Sequence, residues 1–126
     1  MNTIVKKSTV LVVEDTLSEM ELISHYLREG GFSVFNAVSA KDALSRIQES
    51  MPDLIVTDIV MPDMSGFELC RSLKRNPETA AIPIVVCSSK DQEIDRLWAM
   101  KQGAAAYVTK PFTRQQLLEV VKSILS

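Results

Sequence analysis

Apolar and polar positions along this chain switch repeatedly between two periods. VLVV at 10–13 is continuous and apolar, as a strand buried on both faces should be. LSEMELISHYLRE at 17–29 then spaces Leu17, Met20, Ile23 and Leu27 at helical intervals, and Gly30-Gly31 supplies a stop. The pair recurs. FSVFNAV at 32–38 predicts a second, weaker strand, SAKDALSRIQES at 39–50 a helix with Ser39 as N-cap, and DLIVTD at 53–58 a third strand. Ser65 to Arg75 reads as a helix and IPIVVCS at 82–88 as a strand. Asp91 to Gln102 reads as a helix with Asp91 as N-cap and Gly103 behind it. AAYVT at 105–109 and TRQQLLEVVKSIL at 113–125 complete a fifth pair. Five strands alternating with five helices over short links predict an α/β domain, a doubly wound parallel sheet covered on both faces.

Composition narrows what such a domain does. At 126 residues the chain has room for one domain, 1–126, and an attached output domain is not expected. A net charge of −2 with scattered basic residues offers no footprint for nucleic acid or an anionic membrane. Cys70 and Cys87 have neither a CxxC spacing nor a nearby His, so they read as buried small hydrophobes rather than zinc ligands or a redox pair. After MNTIVKKST the apolar run is too short for a signal peptide core or a membrane span, so a cytoplasmic protein without membrane insertion is expected.

Function must then come from the strand ends, because ligands of open α/β sheets bind beyond the carboxyl ends of the strands, at a topological switch point. Glu14 and Asp15 follow strand one, Asp58 strand three, Ser88 and Ser89 strand four, and Thr109, Lys110 and Pro111 strand five. In a flavodoxin-like order 2-1-3-4-5, the three carboxylates converge. Carboxylates packed together repel unless one is protonated or a cation intervenes, and hard oxygen ligands in a small hydrated cluster suit Mg2+. Lys110 and Ser88 would bring a positive charge and a hydroxyl donor to Asp58. Together these are the parts that stabilise a phosphoryl group in transfer.

Glu14-Asp15, DIVMPDMSG at 58–66, CSS at 87–89 and YVTKPF at 107–112 together resemble the receiver domain of two-component response regulators, of the single-domain chemotaxis type. The resemblance spans the chain and implies that Asp58 is a phosphoacceptor fed by a histidine kinase. It implies direct Mg2+ ligation by Asp15, Asp58 and the Val60 carbonyl, with Glu14 acting mainly through water. Lys110 would pair with Asp58 or the phosphoryl oxygens, and Ser88 would hydrogen-bond the phosphoryl. Ser88 and Tyr107 would form the switch, read by a downstream protein target on the face of the fourth helix, fifth strand and fifth helix. Lys110-Pro111 matches a position that is typically cis. Val60 and Lys90 match two positions that tune water access to the acyl phosphate, and apolar Val60 is expected to slow its hydrolysis. Self-catalysed phosphoryl transfer and hydrolysis, rather than enzymatic turnover, and a monomer or weak phosphorylation-dependent dimer, are expected.

DRLWAMKQGA around Trp98 is similar to the PilH-like, twitching-motility branch of that family. Trp98 itself reads either as core, at helical spacing from Ile94 and Leu97, or as a partly exposed interface anchor. Asp63 reads as a turn acid and His25 as an ordinary helix residue. A haloacid dehalogenase-like phosphatase would carry a second Asp two residues beyond the nucleophile, where this chain has Val60. A histidine phosphotransfer protein would use His25 but would be all-helical, and a flavodoxin would need a Ser/Thr/Gly-rich loop in place of EDTLSE. A degenerate receiver that acts as an interaction module without phosphate is the remaining alternative.

Overall fold

The computed structural model describes residues 7–126; residues 1–6, on which part of the signal-peptide reading falls, lie outside it. Five parallel strands, β1 (Thr9–Val13), β2 (Ser33–Ala37), β3 (Leu54–Thr57), β4 (Ile84–Ser88) and β5 (Ala106–Thr109), form one sheet in the order β2-β1-β3-β4-β5. They alternate with α1 (Leu17–Glu29), α2 (Ala40–Glu49), α3 (Gly66–Arg75), α4 (Glu93–Lys101) and α5 (Arg114–Leu125). Among the described residues, no helix is long and apolar enough to cross a membrane.

The two-residue period of each strand divides the core into two layers. Val10, Val12, Leu54, Val56, Val85, Cys87 and Val108 pack on one face against Met20, Ile23 and Leu27 of α1 and Leu117 and Val121 of α5. Leu11, Val13, Ile55, Ile84 and Val86 face the opposite way, onto α2, α3 and α4. Both faces being covered explains why the central strands read as unbroken apolar runs. The order reverses between β1 and β3, where Val13 pairs with both Ala37 and Thr57, so Glu14 and Asp58 leave adjacent strands at the same height.

Local signals set most boundaries. Ser39 accepts from the Asp42 N–H at 3.0 Å, Ser65 from Glu68 at 3.2 Å and Thr113 from Gln116 at 3.1 Å, so each caps its helix through its side chain. Gly31 ends α1 at a φ of 95°. Asp91 is not the N-cap of α4: the helix starts one residue later, behind Gln92, whose N–H donates to the Asp95 carboxylate at 3.3 Å. Asp63 does more than shape its own turn, since its carboxylate accepts from the N–H groups of Ala40 at 3.2 Å and Lys41 at 2.8 Å. It therefore caps α2 from the β3–α3 loop. Although burial is the largest single influence and pushes the carboxyl up, the backbone hydrogen bonds together outweigh it and hold the carboxyl below its usual range.

Candidate functional site

Asp58 is the first residue past β3, and the strand fixes it through backbone. Its N–H donates to the Val13 carbonyl at 3.2 Å, and its Oδ1 accepts from the Ile59 N–H at 2.7 Å. Beyond it the chain must fold back tightly to start α3. There Gly66 donates its N–H to the Ile59 carbonyl at 2.8 Å and passes so near the Asp58 peptide that a side chain would overlap it. The MSG turn thus presses α3 against the residue that carries the carboxylate.

Glu14, one residue past β1, is held by its N–H on the Ala37 carbonyl at 3.0 Å and is only 1% exposed. Lys110, one residue past β5, donates its N–H to the Ser88 carbonyl at 2.8 Å and reaches back across the sheet. Its Nζ lies 3.2 Å from Glu14 Oε1, 3.2 Å from Glu19 Oε1 and 3.3 Å from Asp58 Oδ2. Lys110-Pro111 is cis, as its sequence position suggests.

The charges are unevenly satisfied. Burial, the neighbouring Glu19 carboxyl and the charge of Asp58 raise the Glu14 carboxyl to about 8, against the pull of Lys110. Glu19, closer to water, is lowered chiefly by its interaction with Glu14. Burial works against the Lys110 ammonium, yet Asp58 and Glu14 outweigh it and leave that group above its ordinary value. Glu14 Oε2 is buried and has no hydrogen-bond partner among the described residues. An acceptor left bare beside two further carboxylates is what a hard cation would satisfy, so the donor set fits Mg2+.

The cluster differs in one member from the set expected from sequence. Oxygens of Glu14, Glu19 and Asp58 lie within 4.8 Å of one another, whereas Asp15 is exposed and stands outside that group. Glu19 escaped sequence reasoning because an acid in the first turn of a helix is ordinary, favoured by the helix dipole. Its one signal was the five-residue step from Glu14, which carries it over the start of α1. Val60 is exposed on the rim of the site.

A second group of residues connects this cluster to α4. Ser88 is the last residue of β4, buried, and its Oγ accepts from the Lys90 N–H at 3.2 Å. The Tyr107 hydroxyl donates to the Lys90 carbonyl at 2.6 Å, and burial pushes the pKa of that phenol above its ordinary value. Arg96 lies 5.3 Å from the Tyr107 ring centroid and donates to Thr109 Oγ1 at 2.7 Å. Backbone and side chains therefore link Ser88, Lys90, Tyr107, Arg96 and Thr109 from β4 across α4 to β5. Arg96 was also missed in the sequence, where it reads as a solvated helix charge.

Elsewhere, Cys70 and Cys87 are buried and unpaired, and burial pushes their thiols up to about 11 and about 12. His25 pairs with Glu29 at 3.2 Å on the surface of α1. Trp98 is 44% exposed, with the Lys101 ammonium 5.5 Å from its ring, so it belongs to the surface rather than the core.

Residues 10–122 match the family model described as the response regulator receiver domain. The chain is 36% identical over 117 residues to Protein PilH of Pseudomonas aeruginosa, a match that covers 93% of this chain and 97% of that protein. The structure superposes with a TM-score of 0.92 on a putative response regulator from Chloroflexus aurantiacus, 32% identical, over 95% of this chain and 98% of the other. It superposes with a TM-score of 0.89 on the chemotaxis protein CheY4 of Vibrio cholerae, 27% identical, over 94% of this chain and 99% of the other.

Proposed function

This chain belongs to the response regulator receiver domain family, and on that premise we propose that it is a signalling switch phosphorylated on Asp58 by a histidine kinase. The observation that carries the proposal is the Lys110 ammonium, 3.3 Å from Asp58 Oδ2 and 3.2 Å from Glu14 Oε1, at the point where the strand order reverses. A carboxylate oxygen of Asp58 attacks the phosphorus of a phosphohistidine. The new P–O bond gives an acyl phosphate as the P–N bond breaks and the imidazole leaves. Strand β3 and the Ile59 N–H hold the nucleophile in line, so little ordering is left to the reaction itself.

Lys110 then faces the phosphoryl oxygens, and Ser88 donates its hydroxyl to them. Glu14, Asp58, Asp15 and the Val60 carbonyl are the groups that would hold Mg2+, with Glu19 close by. A bound ion would offset the charge that accumulates as the phosphoryl arrives. Acyl phosphate hydrolysis at the same site resets the switch, and apolar Val60, with Lys90 on the other side, sets how easily water reaches it.

Turning Ser88 toward the phosphoryl removes its oxygen from the Lys90 N–H, and Lys90 is the partner of the Tyr107 hydroxyl. Tyr107 therefore moves with Ser88, and the output is carried by α4, β5 and α5. That face has a groove of about 520 Å3 lined by Asp91, Arg96, Tyr107, Thr109, Gln116 and Val120. Ile94 and Leu97 of α4 stand exposed nearby, a surface suited to a downstream protein in a monomer or in a weak phosphorylation-dependent dimer. The similarity to PilH supports a cytoplasmic role in chemotaxis-like or type IV pilus motility control.

Intact-protein mass after incubation with Mg2+ and acetyl phosphate tests the reading, with Asp58→Ala as control. One added phosphoryl in the wild type alone is the expected result. No gain, or equal gain in the control, would favour a receiver that acts by protein contact without phosphate.

A further inference from the structure

Three carboxylates surround the Lys110 ammonium: Glu14 and Asp58 accept hydrogen bonds from it, and Glu19 is an ion-pair partner. Glu14, Glu19 and Asp58 each take one contact, at 3.2, 3.2 and 3.3 Å, and an ammonium has three N–H groups in all. A phosphoryl group on Asp58 competes with the neighbouring carboxylates for this ammonium, and one of them is released as the phosphoryl oxygens take its charge. Burial decides which one is released. The Glu14 and Asp58 side chains are 1% and 14% exposed, whereas that of Glu19 is 42% exposed and loses least by turning to water.

The two oxygens of Glu14 separate the lysine from a cation. Oε1 faces Lys110, and Oε2 is the buried acceptor with no partner among the described residues. A cation satisfied by Oε2 and Asp58 withdraws their charge from Lys110, and Glu19 is then the carboxylate that still holds the ammonium. Glu19 stands at the third position of α1, where an acid commonly folds back onto the N-cap N–H. Here it is ion-paired with Lys110 instead.

We propose that Glu19 is a positioning residue for Lys110, retaining the ammonium on the α1 side when a cation engages Glu14 and Asp58, and yielding it to the phosphoryl group. This rests on the reading of Asp58 as phosphoacceptor. Glu19 thereby favours the cation and competes with the anion. A helix-capping or merely structural acid has no reason to act in opposite directions on the two.

The test compares full-length wild type and Glu19→Gln by calorimetric titration with Mg2+, then with beryllofluoride, a phosphoryl mimic, at saturating Mg2+. Glu19→Gln should weaken Mg2+ binding by about three- to tenfold and tighten beryllofluoride binding by a similar factor, with the ion-free melting temperature little changed. Both affinities moving the same way, or neither moving, would overturn the proposal. If wild type bound no beryllofluoride, or Asp58→Ala bound it equally, the phosphoacceptor reading would fail instead. The Mg2+ titration would then decide the role of Glu19 alone, an unchanged affinity overturning it.

Discussion

Replacing Gly66 with alanine puts a methyl group where backbone already lies. A Cβ at this position would stand 2.1 Å from the Asp58 carbonyl oxygen, 3.0 Å from its carbonyl carbon and 3.0 Å from the Ile59 Cα. Non-bonded carbons prefer separations of about 3.5–4.0 Å, so the start of α3 and the Asp58 peptide must part by roughly an ångström. No rotamer relieves this, because every crowded atom is main chain. Overpacking costs about 1–3 kcal/mol, and weakening the Gly66–Ile59 hydrogen bond about 1 kcal/mol more. Alanine returns roughly 0.5–1 kcal/mol through lower unfolded-state entropy, leaving a net loss of about 2–3 kcal/mol. For a chain of this size that lowers the melting temperature by roughly 6–12 °C, readable by circular dichroism without added ions. Gly31→Ala is the matched control, with a φ of 95° and nothing within 4 Å, so it should lose only about 1 kcal/mol from backbone strain. Gly66→Ala should also take up phosphoryl from acetyl phosphate at least about tenfold more slowly, since Asp58 shifts relative to Lys110. A variant that melts within about 2 °C of wild type and phosphorylates at the same rate would refute the reasoning.

The raised Glu14 carboxyl makes ion-free stability depend on pH. With its value moved from 4.5 to about 8, the folded protein keeps a proton that the unfolded chain releases, so stability falls as pH rises through that window. Allowing for solvent screening, the loss is on the order of 1–2 kcal/mol between pH 5 and 8, and denaturant midpoints of Glu14→Gln should lack it. A wild type whose midpoint is flat over that range would count against a protonated Glu14. Cys70 and Cys87, with thiols raised by burial, should both resist a thiol-specific chromogenic reagent at pH 7.5 in the native protein and both react in denaturant. Exposed Val60 offers no hydrogen bond to an attacking water, so Val60→Asn should lose phosphate several-fold faster than wild type. Unchanged decay of the phosphorylated species would show that this position does not tune it.

Much of the molecule was legible from one dimension because two signals in it are local. Burial on both faces forces a central strand to be apolar throughout, and this exposed β1, β3 and β4 as VLVV, LIVT and IVVC. Side-chain caps act within three residues, so Ser39 could be read directly as an N-cap, while Ser65 and Thr113 opened the predicted helices and the structure shows them to be caps of the same kind. Asp91 was misread for a related reason. An acid next to a helical pattern resembles an N-cap, and only the bond from the Gln92 N–H to the Asp95 carboxylate shows that the helix begins beyond it.

The order of chemical groups after each strand, and hence the candidate site, also belonged to the sequence, together with the motifs that identify the family. The partners of those groups did not. Glu19 and Asp63 are acids of unremarkable local context, and each does its work on residues distant in sequence: Lys110 for one, the start of α2 for the other. Arg96 meets Tyr107 and Thr109 only because α4 packs beside β5. Sequence determines which elements form, since periodicity and capping are short-range. Only tertiary structure decides which charge faces which, because hydrogen bonds and ion pairs act over a few ångströms that folding alone brings together.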